Sequence, residues 1–111
     1  MHLDIAEQKK MVIIAIKDER LDAHNANDLK AELLALFEQG KKNILIDLQD
    51  VRFIDSSGLG ALVSGFKNAI TNQGGLRLAG LQPQVKSMFE LTRLHRVFDI
   101  YPTAADVPEL P

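Results

Sequence analysis

The chain has no cysteine and no tryptophan, only three histidines, and no long apolar run. Without cysteine there is no disulfide framework, no thiolate metal site and no thiol nucleophile, and the cytoplasm is the default compartment. The histidines, His2, His24 and His95, are scattered, with no pair at a metal-ligand spacing, so no metal site and no cofactor are expected. The longest apolar stretch near the start, Met11-Val12-Ile13-Ile14-Ala15-Ile16, is far too short to span a bilayer, and the charged segment from Asp4 to Lys10 is unlike a signal peptide. Nor is there an excess of one charge: 13 basic residues face 15 acidic ones, a formal net of −2. Such a balance offers no general attraction to nucleic acid or to an anionic membrane. With no internal repeat, low-complexity tract or linker, residues 1–111 are expected to form one unexported domain, large enough to bury a single core.

What is present is a regular alternation of apolar patterns. Residues 3–6 and 11–16, separated by Gln8-Lys9-Lys10, predict two strands paired antiparallel. Asn25, with Asp28 three residues on, suits a helix start, and Leu29, Leu33, Leu36 and Phe37 hold one face until Gly40 ends the element. Ile44-Leu45-Ile46-Asp47-Leu48 has the pattern of a buried strand. A second helix follows, with Leu59, Leu62, Val63, Phe66 and Ile70 on one apolar face and Asn72-Gln73-Gly74-Gly75 as its stop. Residues 76–79 form a short strand; Pro83 opens a third helix with Val85, Met88, Phe89 and Thr92 at helical spacing. Residues 97–101 are the last strand candidate, and Thr103 with Asp106 predicts a capped short helix that Pro108 ends. Strands alternating with helices imply parallel crossovers, so the fold class is α/β. The expected architecture is a mixed, mostly parallel sheet of about five strands with helices packed against it.

Between the buried strand and the second helix lies Arg52-Phe53-Ile54-Asp55-Ser56-Ser57-Gly58-Leu59-Gly60. The first turn of a helix leaves N–H groups without internal partners, and Asp or Ser there accepts a hydrogen bond from them. Capping alone accounts for Asp55-Ser56-Ser57. The same N–H groups and the positive end of the helix dipole also tolerate a phosphate, so a modified serine need not melt the helix. Gly58 and Gly60 are not a dinucleotide fingerprint, because Val63 occupies the third glycine position. Neither is the serine in a nucleophile elbow, since Ile54 stands two residues before Ser56. A hydrolytic serine also needs a nearby base, and none is placed by the sequence, so no catalytic residue is expected. Arg93, His95 and Arg96 are taken as a solvated basic cluster.

A strand followed by Phe53-Ile54-Asp55-Ser56-Ser57-Gly58-Leu59-Gly60 and then a helix resembles the signature of the STAS domain, whose small free-standing members are anti-sigma-factor antagonists. The similarity extends to Arg20-Leu21-Asp22-Ala23, Ile46-Asp47-Leu48, Gly80-Leu81-Gln82-Pro83 and Val97-Phe98-Asp99-Ile100-Tyr101. It implies a switch. Ser56, with Ser57 as second choice, would be phosphorylated by an anti-sigma factor acting as serine kinase; the unmodified protein would bind that partner, and a serine phosphatase would restore it. The implied partner surface is Asp55, Ser56, Ser57, Gly58 and Leu59, with Asp22 and His24. Asp55 would orient the acceptor hydroxyl and Gly58 would admit the partner's backbone. Ser57 would remain a cap, so that Ser57→Ala costs about 1 kcal/mol. Glu19 and Arg93 stand where the family often has glycine, so each of those turns is made without glycine's freedom, and Pro108 shortens a terminal helix that is usually longer. The alternative is a non-switching STAS structural module of a transporter or signalling complex, indifferent to mutation of Ser56.

Overall fold

The computed structural model describes residues 1–108. β1 (Leu3–Gln8) and β2 (Met11–Ile16) form the expected antiparallel hairpin, with Leu3 opposite Ile16 and Gln8 opposite Met11. The chain then runs through β3 (Arg20–Leu21), α1 (Ala26–Glu38), β4 (Asn43–Asp47), β5 (Phe53–Ile54), α2 (Ser56–Thr71), β6 (Gly75–Ala79), α3 (Pro83–Leu91) and β7 (Ile100–Tyr101). Two 3-10 turns, Leu94–Arg96 and Ala104–Asp106, flank β7. The main sheet has the order β1-β2-β4-β6-β7, and every pair after the hairpin is parallel. The fold is therefore α/β with a mixed, mostly parallel five-stranded sheet. β3 and β5 form a separate two-residue parallel ladder.

β4 lies at the centre of the sheet, which explains its unbroken apolar run. Ile44 and Ile46 belong to the main core with Leu29, Leu33, Leu62, Leu76 and Phe89, while Leu45 faces the other way into a smaller cluster with Met11, Ala79 and Val107. A strand covered on both faces has no position left for a polar alternation. Phe66, Phe98 and Phe89 meet edge to face, with centroids 5.2 and 5.8 Å apart, and tie α2 and α3 to the segment leading into β7.

Helix ends show where the sequence signals were displaced. Gly40 ends α1 at φ +82°, its N–H donating to the Phe37 carbonyl and that of Lys41 to Leu36, a Schellman motif. α2 makes the same pair of bonds, from Gln73 to Ile70 and from Gly74 to Ala69, but Gln73 takes the left-handed position at φ +64°. Gly74 is needed for close approach instead: a Cβ there would stand 2.0 Å from the Lys42 carbonyl oxygen. Arg93 ends α3 in the same left-handed way, at φ +61°. That turn does use positive φ, in a residue for which the conformation is strained. Two further expectations are corrected. Ile70 is 55% exposed, because it turns off the buried face of α2 near the helix end. The last strand is only Ile100–Tyr101, because Leu94–Arg96 winds into a 3-10 turn ahead of it. Thr92 is the exposed C-cap of α3. The final short helix is the 3-10 turn Ala104–Asp106, where the Asp106 carboxylate accepts from both the N–H and the hydroxyl of Thr103.

Candidate functional site

After β4, Leu48 and Val51 are buried and joined by a tight turn, Val51 N–H to Leu48 carbonyl. The backbone N–H groups of Arg52 and Phe53 both donate to the Glu19 carbonyl, at 2.7 and 3.1 Å, and this sets β5 beside β3. Arg20 then lies opposite Phe53 and Leu21 opposite Ile54. Asp55 N–H continues the ladder to the Leu21 carbonyl, so the first residue outside α2 is held by the strand before α1.

Asp55 is the N-cap of α2. Its backbone is extended, one carboxylate oxygen accepts from Gly58 N–H at 3.0 Å, and its carbonyl accepts from Leu59 N–H at 2.9 Å. The second carboxylate oxygen accepts from Ala23 N–H at 3.3 Å, across to the loop before α1. The cap is thus satisfied without either serine. Ser56 and Ser57 occupy the first two helical positions, both exposed, and neither hydroxyl has a hydrogen-bond partner among the described residues. The expectation that Ser57 caps the helix is therefore corrected, and the Asp55 carboxylate is engaged by backbone rather than turned to the Ser56 hydroxyl.

Gly58 and Leu59 are buried. A Cβ on Gly58 would lie 2.3 Å from the Leu21 carbonyl oxygen and 2.8 Å from the Ile54 side chain, so the glycine is small because β3 packs against the first turn of α2. It leaves no space for a partner's backbone. Leu59, at 6% exposure, is core. Of the expected surface residues these two shape the site from beneath.

The loop before α1 supplies the other rim. Asp22 is the one polar residue buried among the described residues. Its carboxylate accepts from His24 N–H at 3.0 Å and from Arg20 Nε at 3.2 Å. The His24 N–H bond, aided by Arg20 and opposed by desolvation, holds the Asp22 carboxyl below its ordinary value of 3.8. Asp22 is thus a loop-former, while the His24 side chain is 95% exposed. Asn25 occupies the N-cap position of α1 as expected, but its side chain turns backwards. Its Oδ1 accepts from Asp22 N–H at 2.9 Å and its Nδ2 donates to the Arg20 carbonyl at 2.8 Å. Asp28 lies near the N-terminal amine, 3.9 Å away, and the expected box with Asn25 does not form. Together these bonds bring Asp55, Ser56, Ser57 and His24 to one edge, over a base of Asp22, Gly58 and Leu59.

Sequence reasoning missed Arg20 and Phe53. The Arg20 guanidinium carbon sits 4.2 Å from the centre of the exposed Phe53 ring. Two-residue strands are too short to announce themselves by periodicity; the only available signal was Arg-Leu and Phe-Ile as two polar-out or aromatic-out, apolar-in pairs. Elsewhere, His95 Nδ1 lies 3.2 Å from the Phe89 carbonyl, and His2 donates its backbone N–H to Asp18. No three His, Asp or Glu side chains among the described residues are grouped to hold a metal ion. No described helix is long and apolar enough to cross a membrane.

The STAS domain family model matches residues 2–107. The chain belongs to the STAS domain family. This STAS domain is 32% identical over 100 residues to the anti-sigma-B factor antagonist of Bacillus subtilis, covering 90% of each chain. Its fold superposes with a TM-score of 0.84 on an anti-sigma factor antagonist from Mycobacterium paratuberculosis, at 22% identity and covering 95% of this chain and 88% of that one. The Bacillus protein SpoIIAA has the same fold in a phosphorylated and an unphosphorylated form. Its phosphorylated form gives a TM-score of 0.74 at 20% identity over 95% of both chains. The unphosphorylated form gives 0.71 at 18% identity, over 93% of this chain and 89% of that one.

Proposed function

We propose that this STAS domain is an anti-sigma-factor antagonist that docks on an anti-sigma factor with serine kinase activity through the Ser56 edge and is released when Ser56 is phosphorylated. A serine phosphatase resets it. It is a regulatory binding protein and not an enzyme. The observation that carries the reading is the division of labour at the start of α2: Asp55 completes the cap, and the Ser56 hydroxyl is left exposed, with no partner among the described residues. Modification of Ser56 therefore breaks no bond of the fold. The phosphate adds about −1.5 to −2 charges and three acceptor oxygens at the positive end of the helix dipole, which tolerates them. On a packed interface the same group repels acidic neighbours and leaves polar atoms unmatched. A loss of about 3 kcal/mol of binding is roughly a hundredfold in affinity. Ser57, one residue further along the same exposed turn, is the second choice of acceptor in place of Ser56.

The reading is supported by the names of the relatives and by a fold that SpoIIAA keeps with and without its phosphate. The test is capture from lysate of the native host with Ser56→Ala and Ser56→Asp as baits, each checked for native circular dichroism. A kinase-type anti-sigma factor retained by Ser56→Ala and lost with Ser56→Asp is the expected result. Equal capture by two folded baits would remove the switch and favour the non-switching structural module.

A further inference from the structure

We propose that Arg20 and Phe53 form a docking anchor for a protein partner whose surface offers an apolar socket with a carboxylate on its rim. The inference rests on the reading above, because β5 runs directly into Asp55 and Ser56 and so extends the same edge.

The two-residue ladder forces Phe53 outward. Successive residues of a strand face opposite ways, and Ile54 is committed to the core at 3% exposure. An outward position on a short strand needs no aromatic residue, yet Phe53 is 43% exposed, the one exposed phenylalanine of the chain's five. Arg20 covers one face of its ring at 4.2 Å and is fixed there by its Nε bond to Asp22. That bond occupies one side of the guanidinium. The remaining N–H groups of Arg20 have no partner among the described residues, and its side chain is 62% exposed. A planar fork of free donors beside a held aromatic ring is complementary to a carboxylate next to an apolar recess. Aromatic and arginine side chains held rigid before docking lose little entropy on binding, and such residues dominate interface energies.

Asp22 joins this anchor to the switch. Its carboxylate positions Arg20, and the next residue, Ala23, donates its N–H to Asp55, the cap on which Ser56 stands. The anchor therefore sits at a fixed place relative to the acceptor serine.

The test starts from the protein that Ser56→Ala captures and Ser56→Asp does not, identified, purified and titrated calorimetrically. In the Ser56→Ala background, Phe53→Ala is expected to weaken binding about tenfold or more, and Arg20→Lys, which keeps the charge and loses the planar fork, by about fivefold. Both variants should retain native circular dichroism; if Phe53→Ala does not fold, Phe53→Leu carries the same readout. Affinities within about twofold of the parent, with Ser56→Asp still excluded, would overturn the anchor and leave the switch standing. Equal capture by Ser56→Ala and Ser56→Asp would overturn the switch reading and the anchor with it.

Discussion

The starts of α1 and α2 look alike in sequence and differ in use. Each opens on an Asn or Asp at the N-cap position, Asn25 in one case and Asp55 in the other. Asn25 spends its side chain within its own loop, on Asp22 N–H and the Arg20 carbonyl, and only its backbone carbonyl, accepting from Asp28 and Leu29 N–H, serves the helix it precedes. Asp55 gives one oxygen to its helix and the other to the loop before α1. The first arrangement closes a loop; the second joins two loops and leaves the hydroxyls beyond it exposed. Cap identity alone thus does not say what a helix start is for. What decides is where the cap's second hydrogen-bonding group goes.

The comparison can be broken most severely at Gly58. Gly58→Ala pushes a methyl into the Leu21 carbonyl oxygen and should cost about 3 kcal/mol in urea unfolding, at the upper end of overpacking effects because the obstacle is backbone. Gly60→Ala, two residues on, where an added Cβ meets nothing within 4 Å beyond its own helical turn among the described residues, should instead stabilise by about 0.5–1 kcal/mol. Equal effects at the two positions would mean that β3 does not press on α2.

Next come the caps themselves. Asn and Asp are near equivalents as N-caps in general, but here each exchange should destabilise by about 1–2 kcal/mol. Asn25→Asp loses the donor to the Arg20 carbonyl, and Asp55→Asn turns one of two acceptors into a donor facing an N–H. A neutral result for Asn25→Asp would show that its side chain does not hold the loop.

The base of the α1 loop gives a pH signature. Folded Asp22 binds its proton less tightly than the unfolded chain does, so its contribution to stability is complete above the ordinary value of 3.8 and is lost as pH falls through the lowered one. Asp22→Asn should flatten the acid limb of the stability profile, and the Asp22 carboxyl followed by NMR should titrate below 3.8. A titration at or above that value would contradict the role of the His24 N–H bond.

The smallest effect is expected at Ser57. With Asp55 as the cap, Ser57→Ala should change stability by no more than about 0.5 kcal/mol, against the about 1 kcal/mol that the sequence alone suggests for a capping serine.

Those two figures show what was legible in the sequence and why the rest was not. The strands and helices of the main sheet are written in repeated patterns: the apolar run of β4, the 3.6-residue stripes of α1 and α2, and Pro83 at the first position of α3. The motif around Ser56 was legible too, as a strand-to-helix junction. The partition of work within it was not. Whether Asp55 or Ser57 caps depends on a hydrogen bond from Ala23, 32 residues away, and the need for Gly58 comes from Leu21. The Arg20–Phe53 pair arises from register between two strands too short to carry a pattern. Long-range pairing, not local preference, decides these features.

The most direct measurement is intact-mass and peptide mass spectrometry of the protein purified from its native host, with Ser56→Ala expressed alongside. The account predicts a phosphate on the peptide containing Ser56, localised to that residue and absent from the variant. An unmodified Ser56 across growth conditions in which the partner is expressed and active would contradict it, and the exposed hydroxyl would then be only the first residue of a helix.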